Sequence, residues 1–151
     1  MLISKSIPLV IFMVIIVIVF ILFMNVKAAG QIRQARFNMT GLQSVISQYY
    51  KVNGHYPVAL SDLPKFYAVS AMDKLYFDFG HFTDGEFGGY RYDFNLPSEG
   101  KFVLSASPQH LWPKAVEFGL TQAGNLKMNV RNVDELPDTY DEVDHWQAAG
   151  F

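Results

Sequence analysis

The sequence predicts an α+β fold in which one long N-terminal helix lies on a four-stranded antiparallel sheet. Three observations carry this expectation. Residues Ile7 to Met24 form an unbroken apolar run with no charge and no strongly polar side chain. A stripe of apolar residues at helical spacing follows it, and four short segments between residues 90 and 130 suit the strands of a meander. The chain therefore divides into an apolar transmembrane segment, 1–29, and a globular part, 30–151. The globular part comprises an amphipathic helix half (about 30–53), the sheet (about 90–130) and an acidic C-terminal tail (134–151).

At 151 residues the chain holds one domain of ordinary size, which excludes a multidomain enzyme. Its formal charge is −2. Of 12 Lys+Arg, Lys5 and Lys27 lie before residue 30, leaving 10 against 14 Asp+Glu, so the globular part carries −4. A nucleic-acid backbone binder would be basic instead. With no cysteine there is no disulfide framework, thiolate nucleophile or cysteine zinc site.

As a helix, Ile7–Met24 would be about 27 Å long, close to the hydrocarbon thickness of a bilayer. Pro8 falls where a first turn tolerates proline. Three readings compete for the run: a cleaved signal peptide, an uncleaved anchor, or the apolar half of a longer helix. Signal-peptide cores are usually shorter, about 7–15 residues, although the small residue Ala28 offers a cleavage position. Flanking charge does not favour export of the globular part, because Lys27, Arg33 and Arg36 on its side outnumber Lys5 on the other.

Beyond Met24 the apolar positions Ile32, Ala35, Met39, Leu42, Ile46 and Tyr49 step by three and four, which is one face of a helix. The polar residues Gln31, Arg33, Gln34, Asn38, Gln43, Ser47 and Lys51 are expected on the other face. Asn53-Gly54 is a left-handed stop signal, and Pro57 follows it. A single glycine, Gly30, costs only about 1 kcal/mol in a helix interior, so one helix of about 45 residues is expected. The alternative is a membrane helix, a kink near Gly30 and a separate surface helix. Residues 58–81 read as loop, with Ser61-Asp62 suited to capping a short helix and Tyr76–Phe79 a brief strand. Asp84–Gly89 is turn chemistry. Strands are expected at Tyr90–Phe94, Lys101–Ala106, Ala115–Leu120 and Leu126–Val130. The alternating sets Tyr90/Tyr92/Phe94, Phe102/Leu104/Ala106 and Val116/Phe118/Leu120 would share one face, which the amphipathic helix could cover.

Little in the chain points to catalysis. His55, His81, His110 and His145 are scattered without zinc-ligand spacing, and Ser105 and Ser107 lack a nucleophile elbow. The protein is therefore expected not to be an enzyme. The aromatic residues from Phe77 to Phe94 suit a small core better than a binding surface. Trp112, between Leu111 and Pro113 in a loop, is a candidate partner contact, and Trp146 can pin the tail to the sheet. Leu42 and Ile46, on the apolar stripe, are also candidate partner contacts.

The arrangement resembles the type IV pilin and pseudopilin superfamily. Gln48-Tyr49-Tyr50-Lys51-Val52-Asn53-Gly54-His55-Tyr56-Pro57, followed by Leu60-Ser61-Asp62-Leu63, is similar to the helix exit of pseudopilins. Tyr90-Arg91-Tyr92 with Phe102–Pro108 resembles their first sheet strands, and Glu117-Phe118 with Gly124-Asn125-Leu126 resembles a hairpin of minor pilins. These stretches cover most of residues 30–130. The resemblance implies a structural or assembly subunit of a type II secretion or type IV pilus system. It would be held in the bacterial inner membrane by a single pass, with a periplasmic head, and its partners would be the membrane and other pilin-like or assembly proteins. The leader departs from the family: Lys5-Ser6-Ile7-Pro8 contains no glycine, and no acidic residue precedes Asp62. Prepilins carry a carboxylate early in the apolar helix, paired in the family with a neighbouring subunit's N-terminus. Its absence here implies a priming or tethering part outside the regular shaft.

Asp141-Glu142-Val143-Asp144-His145-Trp146 is similar to the calcium-binding C-terminal stretch of the major pseudopilin. Calcium takes several oxygens from one flexible loop, and Asp138, Asp141 and Asp144 could supply three. The plainer alternative is a solvated acidic tail with no cofactor. The competing functional reading is a single-pass or exported binding module that meets its partner through aromatic loops. A small hydrolase is third, and would need a pocket joining a histidine, a carboxylate and a serine.

Overall fold

The computed structural model describes residues 3–63, 85–109, 116–130, 143 and 146–148, with side chains for those between 7 and 146. A single helix, α1 (Ile3–Asn53), runs through the apolar and amphipathic halves without a break. Its 51 residues span about 77 Å. The helix begins a turn earlier than expected, which places Pro8 inside it. Gly30 is likewise accommodated, with open space around it.

The helix ends as its sequence directs. Gly54 takes a left-handed φ of 74°, and its N–H donates to the Tyr50 carbonyl at 2.8 Å. A 3₁₀ turn follows at Leu60–Asp62, where the Asp62 carboxylate accepts the Ala59 N–H at 3.2 Å. A ladder of rings pins this exit to the sheet. Tyr50 and Tyr56 lie 4.5 Å apart, Tyr56 meets Phe102 edge-on at 4.8 Å, and Phe102 stacks on Phe94 at 5.6 Å.

The sheet is an antiparallel meander ordered by sequence: β1 (Glu86–Phe87), β2 (Tyr90–Ser98), β3 (Lys101–Pro108), β4 (Val116–Thr121), β5 (Lys127–Val130) and β6 (Gln147–Ala148). The four expected strands are its centre, and the two-residue strands β1 and β6 extend the edges. The second strand runs further than expected, to Ser98, so that Glu99-Gly100 forms a tight turn. The ladder tolerates Pro97 because the register slips between Asn95 and Ser98, where no N–H is demanded of the proline. Expected elements within 64–84 lie outside the described residues.

The inner face of the sheet buries Tyr90, Tyr92, Phe102, Leu104, Ala106, Val116, Phe118 and Leu120 against Ala35, Met39, Leu42, Val45 and Ile46 of α1. Asn38, expected on the polar face of the helix, is instead buried in this layer because the Tyr92 hydroxyl accepts its amide, and the polar groups here are matched. Asn38 donates through Nδ2 to the Tyr92 hydroxyl at 3.0 Å, and Tyr90 donates to the Val116 carbonyl at 2.8 Å. At the far end Gln43 donates to the Gly124 carbonyl at 2.8 Å, holding the β4–β5 turn to the helix.

The outer face is also buried. Val103, Ser105, Ser107, Glu117 and Thr121 are all covered, and Ser107 Oγ donates to Glu117 Oε1 at 3.0 Å. Val143 and Trp146 reach the centre of this face at Gly119. A Cβ on Gly119 would stand 2.6 Å from Val143 Cγ1 and 3.0 Å from Trp146. Glycine is thus required at this position by close approach. Gly119→Ala is expected to cost about 1–3 kcal/mol by overpacking, measured by thermal or denaturant unfolding. The variant should also make the C-terminal residues more open to proteolysis than in the parent.

Candidate functional site

Three surfaces of the described residues have the chemistry to act on something outside the chain. The first is the apolar half of α1. From Ile7 to Phe23 the large apolar side chains are between 39% and 65% exposed, and nothing among the described residues covers them. The best 18-residue window has a mean hydropathy of 3.4, long and apolar enough to span a membrane. Ala28 is the first buried residue among those described, and from Ala35 to Ile46 the sheet occupies one side of the helix. One continuous helix therefore joins a bare apolar half to a half docked on the sheet. That coupling is the main geometric feature of the molecule.

The second surface is the opposite side of the docked half, where Arg33, Thr40, Ser44 and Ser47 are exposed together with Phe37. Phe37 is 56% exposed, which sets it apart from its buried neighbours Asn38 and Met39. The alternation follows from the helical period, since Phe37 falls outside the stripe at 35, 39, 42 and 46.

The third is a concavity of about 740 Å³ at the helix exit, lined by Tyr50, Gly54, His55, Tyr56, Val58, Leu96, Ser98, Glu99 and Gly100. It joins the end of α1 to the β2–β3 turn. Val58 and Leu96 bring exposed apolar surface to its rim. Burial, and then the neighbouring Tyr50, hold the Tyr56 phenol above its ordinary pKa, so it is neutral. The concavity contains a histidine, a serine and a carboxylate, but not as a catalytic relay. The His55 Nδ1 meets the Tyr56 carbonyl at 2.9 Å, the position a relay would give to a carboxylate. The other serine–carboxylate pair, Ser107 with Glu117, is sealed from solvent and acts as a structural bond.

The expected site residues fall differently. Leu42 and Ile46 are completely buried against the chain's own sheet, which corrects their expected role as partner contacts. The periodicity identified their face correctly, but could not say that the sheet occupies it. Trp112, Asp138, Asp141 and Asp144 lie outside the described residues. Among the described residues no three His, Asp or Glu side chains gather in a way that could hold a metal ion. Trp146, expected to pin the tail, does lie against the sheet at Gly119. The concavity was missed because it joins residues 50–58 to the distant residues 96–100, and the repeated tyrosines of the helix exit were its one visible signal. Comparison with known protein families, curated proteins and solved structures yields no match.

Proposed function

We propose that the chain is a membrane-anchored, pilin-like structural subunit, a minor pilin or pseudopilin-like assembly component of a type II secretion or type IV pilus system. The observation that carries this reading is the uninterrupted α1, bare over its apolar half and docked on an antiparallel sheet over the rest. A helix that only anchored a head would need no rigid continuation into it. Here, any force or displacement on the apolar half is transmitted to the head without a hinge. In this reading the apolar half anchors the chain in the bacterial inner membrane and packs beside other pilin-like helices, and the periplasmic head makes the specific contacts. The role is non-catalytic. Without an acidic residue before Asp62, priming or tethering fits better than repetition in a shaft.

Exchanging Ile7–Met24 for an unrelated apolar helix of equal length tests this. The expected result is a folded, membrane-bound protein that no longer supports secretion or piliation. Full activity with the foreign helix would overturn the packing role. It would favour the second reading, a binding module whose contact is the helix-exit concavity with its paired tyrosines.

A further inference from the structure

The position of the head along α1 has a consequence for the membrane surface. The inference rests on Ile7–Met24 spanning a bilayer. The helix rises about 1.5 Å per residue, so Ala28, the first buried residue, stands only about 6 Å beyond the end of the apolar run. The headgroup layer of one leaflet is itself about 5–7 Å thick, taken as half the difference between the whole bilayer and its hydrocarbon core. There is no room for a stalk.

The near end of the sheet can be identified. A Cβ on Gly89 would collide with the Gln31 side chain, and the nearest atom to one on Gly88 is in Gln34, so the β1–β2 turn rests on this level of the helix. The Gln109 N–H donates to the Gly89 carbonyl at 2.9 Å, which brings the end of β3 to the same level. Gln31 lies about 10 Å past the apolar run, whereas Gly54 and the helix exit lie about 45 Å past it.

Charge at this end suits an anionic surface. Lys27, Arg33 and Arg36 fall within twelve residues of Met24, and no acidic residue precedes Asp62 in the chain. Lys27 and Arg33 are exposed. Helical side chains lean toward the helix N-terminus, which for these residues means back toward the bilayer. The globular part is acidic overall, and the exposed Glu86 of the β1–β2 hairpin lies at this end, so Lys27 and Arg33 are the groups that draw it to an anionic surface.

We propose that the head is seated directly on the bilayer, with the Gly88-Gly89 turn and Gln109 against the headgroup layer and Lys27 and Arg33 on the phosphates of anionic phospholipids. The occupant of this surface is the membrane that holds the helix, and the seat fixes the height and orientation of the far-end concavity.

The absence of cysteine makes the test direct. Full-length Gln109→Cys and Glu99→Cys variants, each carrying one fluorophore, are reconstituted into phosphatidylcholine–phosphatidylglycerol vesicles containing headgroup spin-labelled lipid. Strong quenching is expected at Gln109→Cys and none at Glu99→Cys, since the latter sits at the far end. Spin-labelled phosphatidylglycerol should quench in preference to spin-labelled phosphatidylcholine. Lys27→Gln and Arg33→Gln should each lower that preference by about fivefold. Inserted chains whose two labels are equally unquenched would overturn the seat. A preference unchanged in the double variant would overturn the role of the cations. Chains that wash off the vesicles in alkaline carbonate would remove the membrane-spanning reading, and the seat with it.

Discussion

Leu42→Ala is expected to destabilise the head by roughly 2–5 kcal/mol, among the largest effects of any single truncation in the protein. Leu42 is completely buried where α1 meets the sheet, and Met39 and Ile46, on the same stripe, are buried with it. The lost methyl groups would leave a cavity that two rigid elements cannot close. Phe37→Ala, on the exposed side of the same helix, should change stability by no more than about 0.5 kcal/mol. Unfolding of the full chain in detergent, followed by circular dichroism and denaturant titration, measures both. Equal effects at the two positions would show that the sheet does not dock on the stripe seen here.

Alkaline pH should unfold the head through its buried tyrosines. Burial pushes the Tyr92 phenol up to about 12, against the lowering effect of its hydrogen bond from Asn38. Burial raises Tyr90 further still, helped by the neighbouring Tyr92 and Glu117. Both phenols are therefore favoured in their neutral form in the folded state, relative to an ordinary value of about 10. Their stabilising contribution is complete below about pH 10 and is lost as pH rises through the folded value. For Tyr92 alone the loss between about pH 10 and 12 is about 3 kcal/mol. Tyrosinate absorbance should then complete its rise only together with loss of the fold. Tyr92→Phe should blunt the alkaline loss. It should also cost about 1–3 kcal/mol at neutral pH, because Asn38 Nδ2 is left without this acceptor. Complete tyrosine ionisation in a still-folded head would contradict the burial of Tyr90 and Tyr92.

Much of the fold was legible because its signals are periodic and local. The three-and-four spacing from Ile32 to Tyr49 marks the docked face, and Asn53-Gly54 marks the stop. The sets at 90/92/94, 102/104/106 and 116/118/120 all reach the inner layer. The outer face was not legible in the same way. Ser105, Ser107 and Glu117 look like solvent-facing residues in strands, yet they are buried, and among the described residues the distant Val143 and Trp146 lie on this same face at Gly119. Long-range cover of this kind leaves no pattern near the residues it covers. The same limit applies to Leu42 and Ile46: an apolar stripe demands a partner surface without specifying whether it comes from the same chain. The run of Ser98 past Pro97 was hidden because a register slip, invisible in composition, removes the usual objection to proline in a strand.

The most direct test of the account is the intact mass of the protein recovered from native membranes. A rigid helix joining the bilayer to the head requires Ile7–Asn53 to remain in one piece. The expected result is the uncut 17.1 kDa chain, extracted only by detergent. Loss of about six residues ahead of Ile7 would keep the helix and point to prepilin-type processing of a filament subunit. A mass lacking the segment through Ala28 would contradict the account, because it would remove the apolar half and release the head from the membrane.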